Sequence, residues 1–293
     1  MNIGFAGQTV TLAYPADVHE TVRLLFAHHD VSGDASNRRL TLKKCSADTY
    51  ELTGTFAPPS PPLKTDDLPE FLMEAVIREL VTDQSNGVVL HAAAVGRGDR
   101  AILLSGVSGA GKSTLTAWLA ENGYEYLTDE LVFIPSDSPL TVTPFRRPLT
   151  LRSDSLQTLE GDGTIDPDKP RLAYGNKAVF PLPSATGASQ HPVGAIVFPS
   201  YTPDADLRVE PLDSGQTALR LLENNLNGEN LADGGLASIA RLGPDALTVT
   251  ELEFAEILQG RAQVAPRTRM VGGEFDGGLQ GVPGGRRLQG MGQ

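Results

Sequence analysis

The chain has 293 residues, 40% of them hydrophobic, and a formal net charge of −12. It is long enough to bury a substantial core as one large domain or two small ones. The acidic balance excludes nucleic acid and anionic membrane as main partners, because both are polyanions that select Lys and Arg.

The single cysteine, Cys45, can form no internal disulfide, and no Cys/His cluster has zinc spacing. No basic start leads into an apolar stretch, and no run approaches the roughly 20 apolar residues of a membrane span, so the expected compartment is cytoplasmic.

In chain order, the first unit (1–57) reads as a small α+β domain. Ile3 to Ala13 is strand-like, Val18, Val22, Leu25 and Phe26 mark one face of a short helix, and strands are expected over 38–44 and 49–55. His28-His29 lacks a spaced partner and reads as surface. Pro58-Pro59-Ser60-Pro61-Pro62 falls in a stiff linker (58–65), since each proline fixes φ and biases its predecessor away from helix.

A catalytic domain is expected over 66–260. Asp67 and Glu70 have capping-box spacing ahead of a helix with Leu72, Ala75, Val76 and Leu80 on one face. A strand candidate, Gly87 to Val95, contains His91. A turn at Gly96 to Asp99 leads into the apolar run Ala101-Ile102-Leu103-Leu104.

The residues that follow, Gly106-Val107-Ser108-Gly109-Ala110-Gly111-Lys112-Ser113, fit G-x-x-x-x-G-K-[ST] without a mismatch. Leu115, Trp118 and Leu119 then have helical spacing, and Gly123 stands where a C-terminal glycine belongs. Strand, glycine loop and helix form the arrangement that cradles phosphates: glycines let backbone N–H groups converge and the helix contributes its positive end. The expected nucleotide-binding residues are Gly106, Ser108, Gly109, Ala110, Gly111, Lys112, Ser113 and Thr114. Lys112 would reach the β- and γ-phosphates of ATP, and Ser113 would ligate Mg²⁺.

Asp129-Glu130 follows the helix and a short strand, 17 positions after Lys112. Neighbouring parallel strands point their C-terminal ends the same way, which places these carboxylates beside the loop, either as metal ligand and proton acceptor or as a solvated turn. Alone, a histidine in such an apolar strand is more often a satisfied core residue than a proton shuttle, and it is the cluster as a whole that favours a catalytic role for His91.

The span 135–184 reads as a long irregular segment, either a substrate loop or lid or a plain surface excursion. Beyond it, strands are expected at 195–198 and 207–212 and helices at 214–226 and 231–242. A glycine-loaded tail, 264–293, reads as disordered.

The stretch LHAAAVGRGDRAILLSGVSGAGKSTLTAWLAENGYEYLTDELVFI resembles the C-terminal catalytic domain of HPr kinase/phosphorylase and its relatives. The likeness is specific over about residues 87–135 and extends more loosely to about 258. It implies an α/β fold with a P-loop core of the HPr-kinase/PEP-carboxykinase-like type. His91, Ser108, Lys112, Ser113 and Asp129 match family positions, which implies that Asp129 activates a substrate hydroxyl, with His91 nearby and Ser113 on Mg²⁺.

Glu130 replaces the family's second aspartate, and no E-I-R-G-L-G-type segment follows. The resemblance therefore leaves the HPr substrate and the reverse reaction open, and it is closer to divergent HPr-kinase-like proteins that phosphorylate a serine on a peptide or metabolite. It also implies homo-oligomers.

The leading expectation is an ATP- and Mg²⁺-dependent kinase acting on a hydroxyl-bearing peptide, protein or metabolite. Its catalytic residues are Asp129, His91 and Lys112, its metal ligands Ser113, Asp129 and Glu130, and its candidate mobile cations Arg146, Arg147 and Lys177. A nucleotide-hydrolysing switch and a non-catalytic nucleotide-binding module are the alternatives.

Overall fold

Apolar residues at every second position build the first sheet. The computed structural model describes residues 1–33, 36–137, 140–182, 190–202, 208–245 and 248–253. In it the stretch from Ile3 to Ala13 is a hairpin, β1 (Asn2–Phe5) and β2 (Gln8–Ala13). The strands flank Ala6 and Gly7, whose positive φ angles of 49° and 79° suit the twist of a two-residue turn. α1 (His19–Phe26) buries Val22, Leu25 and Phe26. β3 (Arg39–Lys44), β4 (Thr49–Gly54) and β5 (Leu63–Lys64) complete a five-stranded sheet in the order β1-β2-β3-β4-β5. Part of the stretch read as a linker thus joins this sheet: Leu63–Lys64 pair with Thr49–Tyr50, and Ser60 exchanges two hydrogen bonds with the Leu52 backbone.

α2 (Leu68–Val81) lies on that sheet, with Leu68, Leu72, Val76 and Leu80 in one core with Ile3, Val10, Leu12, Leu40 and Leu52. The expected capping box does not form. Asp67 closes a 3-10 turn (Thr65–Asp67), so its backbone is already helical (φ −89°, ψ −15°) and its side chain caps nothing. A capping aspartate needs an extended backbone.

The second sheet starts with the hairpin β6 (Gly87–Arg97) and β7 (Arg100–Ser105). There follow α3 (Lys112–Glu121), β8 (Glu125–Thr128), β9 (Leu131–Pro135) and β10 (Thr141–Pro144). The span read as irregular carries regular structure: β10, β11 (Leu149–Arg152), α4 (Ser153–Gly161), β12 (Leu172–Tyr174) and β13 (Lys177–Phe180), with a three-stranded sheet in the order β11-β13-β12. β14 (His191–Ser200), β15 (Arg208–Pro211), α5 (Ser214–Leu222), α6 (Leu236–Asp245) and β16 (Thr248–Glu253) complete the description. The glycine-rich tail, 264–293, lies outside the described residues.

The large sheet runs β10-β9-β6-β7-β14-β16-β15, with β8 also paired to β6. β7, β14 and β16 are mutually parallel, whereas β6 is antiparallel to β7, β8 and β9. Leu115, Ala117 and Leu119 of α3 pack on one face with Ala93, Val95 and Leu104. Ala218, Leu221, Ile239 and Leu242 of α5 and α6 cover the other with Leu90, Ala92 and Leu103. The protein is therefore a mixed α/β fold with helices on both faces of its main sheet. Among the described residues no helix is long and apolar enough to cross a membrane.

Candidate active site

β7 buries Leu103, Leu104 and Ser105 and delivers the chain to the loop 106–111 at the edge of the sheet. Gly111 ends the loop with φ 91°, a left-handed conformation open to glycine at no steric cost, and is the N-cap of α3. Having no side chain, it caps nothing, so the first-turn N–H groups of α3 lack both an intrahelical and a capping acceptor. Those of Lys112, Ser113 and Thr114 belong to residues that line a cleft of about 690 Å³, as do Ser108 and Gly109. Gly106 and Ala110 are not among the residues that line it. The Gly106 carbonyl accepts from Lys112 Nζ at 2.6 Å, with Val107 O as second acceptor at 3.1 Å. Burial lowers the Lys112 pKa, and Glu130 and Asp129 oppose that shift. Thr114 Oγ1 donates to Ser155 Oγ of α4 at 3.0 Å, tying the helix start to the wall of the cleft.

The acidic pair reaches the cleft by a route different from the one its spacing suggested. β8 is not the neighbour of β7, because β6 lies between them. Ala92 of β6 is opposite Ser105 on one side, while Ala94 is opposite Thr128 and His91 opposite Leu131 on the other. Since β7 and β8 both run antiparallel to β6, their C-terminal ends still meet at one edge. His91 sits there between the loop and the acidic pair, and its backbone N–H donates to Asn224 O at 2.8 Å. His91, Lys112, Asp129 and Glu130 thus line one cleft.

Asp129 and Glu130 differ in environment. The Asp129 side chain is 3% exposed and that of Glu130 27%. Tyr126 OH donates to Asp129 Oδ1 at 2.9 Å and also to Arg147 O at 3.0 Å, while Thr150 N reaches Asp129 Oδ2 at 3.4 Å. Burial raises the Tyr126 pKa well above 10.0, and the Asp129 charge adds to that, so the phenol stays a donor. The Arg147 guanidinium bridges the pair, with Nη1 on Glu130 Oε2 and Nε 3.4 Å from Asp129 Oδ1. Burial opposes its charge, but the two carboxylates hold its pKa raised. His91 Nδ1 is 3.5 Å from Glu130 Oε1, and burial, outweighing that carboxylate, lowers its pKa.

Arg147, expected as a mobile cation, is therefore held in place by the acidic pair. Lys177 pairs with Glu70 of α2 at 2.6 Å. The Arg146 carbonyl lies 3.0 Å from His29 Nε2. His29 is no surface residue. It is buried, its ring is stacked on Phe145 at 3.9 Å, and Nδ1 lies 3.1 Å from Gly4 O. Sequence reasoning passed over Tyr126 and Thr150, although Tyr126, three residues before Asp129, was open to notice.

Among the described residues no group of three or more His, Cys, Asp or Glu could hold a metal ion. A Mg²⁺ ion shared with substrate phosphates needs only one or two protein oxygens, and Ser113, Glu130 and Asp129 line the same cleft. The uncapped helix start and the buried lysine likewise fit a polyphosphate.

No family model matches the chain, and none of the curated proteins matches it either. Among solved structures it is similar to the HPr(Ser) kinase/phosphatase from Coxiella burnetii, at 13% identity and a TM-score of 0.23, over 57% of this chain and 84% of that one.

Proposed function

We propose that the protein is an ATP-dependent phosphotransferase that moves the γ-phosphoryl group to a hydroxyl of a peptide, protein or small molecule. The observation that carries this reading is the convergence in one cleft of the Gly106–Ser113 loop, a desolvated Lys112 and the acidic pair. We read β7, the loop and α3 as a phosphate loop. The α3 N–H groups and Lys112, once turned from its loop carbonyls, would hold the β- and γ-phosphates. Ser113 and Glu130 would hold Mg²⁺, which supplies charge neutralisation across the phosphates.

The acceptor oxygen would attack the γ-phosphorus as the bond to the β–γ bridging oxygen breaks and ADP departs. Asp129 would accept the hydroxyl proton. Its Oδ2 is the freer oxygen, since the Thr150 contact at 3.4 Å is long for a hydrogen bond. His91 would orient Glu130, and Tyr126 would orient Asp129.

The loop assignment is checked by calorimetric titration of MgATP into wild type and Lys112→Met. The wild type is expected to bind saturably and the variant about tenfold more weakly or worse. Equal affinities would place the nucleotide elsewhere.

A further inference from the structure

Arg147 carries one permanent charge and five donors, and its guanidinium lies against both members of the acidic pair. Nη1 donates to Glu130 and Nη2 to Thr150 Oγ1 at 2.7 Å, while Nε donates to Pro148 O and lies 3.4 Å from Asp129 Oδ1. Tyr126 fixes its backbone oxygen, and its side chain is only 12% exposed. The two carboxylates are the charged oxygens open to a divalent cation in this cleft, so arginine and metal compete for them.

The competition is unequal across the pair. Asp129 is enclosed and has another donor, Tyr126 OH at 2.9 Å, besides the long contact of Thr150 N. Among the described residues, Glu130 has ion-pair contacts with Arg147 and, at 3.5 Å, with His91, and its side chain opens to the cleft. Glu130 can therefore turn away from Arg147 while the Tyr126–Asp129–Arg147 net stays intact.

We propose that Arg147 is a positioning residue that acts as a resident counter-cation: it fixes Asp129 and yields Glu130 to the divalent metal. In consequence the protein alone binds metal weakly and retains it when nucleotide phosphates add their oxygens. The metal's purpose rests on the phosphotransfer reading; the competition for Glu130 does not.

The test is Mn²⁺ binding to the full chain without nucleotide, followed by loss of the free-ion electron paramagnetic signal. R147M is expected to bind Mn²⁺ about tenfold tighter than wild type, because a competing charge has gone, and R147K to stay near wild type. Equal affinities in wild type and R147M overturn the proposal.

Two double variants each keep one carboxylate, which relieves the unpaired excess charge that could unfold R147M. D129N/R147M is expected to keep most of the gain and E130Q/R147M to lose it, and the reverse order overturns the division of roles. Absent phosphotransfer with this ordering intact would remove only the functional reading. Normal phosphotransfer with no gain in R147M would remove only this proposal.

Discussion

Replacing His29 with Gln removes a buried imidazole that joins β1 to the segment between β10 and β11 that carries Arg147. Its nitrogens contact Gly4 O and Arg146 O, and its ring covers Phe145. Burial outweighs the two carbonyl contacts and pushes its pKa from 6.5 down to about 4. The folded pKa is depressed, so the folded protein refuses a proton that the unfolded chain accepts as pH falls below 6.5. Stability from this group is complete above that pH and is lost as pH drops toward 4. At about 1.4 kcal/mol per tenfold, the ceiling is about 3 kcal/mol, of which about 2 kcal/mol is gone by about pH 5.

Urea unfolding of wild type and His29→Gln at about pH 8 and about pH 5 isolates the term, because His28 and the carboxylates titrate in both proteins. The stability gap between the two proteins should shrink by about 2 kcal/mol at the lower pH. A gap independent of pH, or a folded-state His29 titration near 6.5 by NMR, would show that burial does not hold His29 neutral.

Glu79 accepts hydrogen bonds from Phe56 N and Ala57 N at 2.7 and 2.9 Å inside the core, so Glu79→Ala should cost about 3 kcal/mol in urea unfolding. Glu79→Gln, which keeps an acceptor oxygen, should cost less than half as much; equal costs would show that these two bonds do not set the effect. Gly111→Ala forces an L side chain to φ 91°, at a cost of about 1–2 kcal/mol, and should also weaken MgATP binding measured by calorimetry. Unchanged melting and binding would show that the loop tolerates a different backbone.

The elements that proved legible are those whose signal is local. Ala101 to Leu104, the Gly106–Ser113 pattern and the Leu115/Leu119 spacing lie within about twenty consecutive residues, and β7, the loop and α3 follow directly. The hairpin of β1 and β2 was hidden because Ala6 is an unusual residue for positive φ. β11, β12 and β13 are three or four residues long, too short for alternation to stand out from turns and prolines. Spacing brought Asp129 and Glu130 to the right edge through the wrong neighbour, since the insertion of β6 is a property of the whole sheet. The Arg147 bridge spans 17 residues and the His29–Arg146 contact 117, distances over which side-chain pairing leaves no periodic trace.

Phosphoryl transfer by wild type against Asp129→Asn distinguishes a phosphotransferase from a cleft that only binds nucleotide. The assay incubates each protein with ATP, Mg²⁺ and hydroxyl-bearing peptides or metabolites and follows the products by mass spectrometry. Wild type should add one phosphoryl group to an acceptor, and Asp129→Asn should do so at least about a hundredfold more slowly while still binding MgATP. Equal transfer by the two proteins would contradict the role given to Asp129, and ATP bound by wild type without transfer to any acceptor would contradict the account itself.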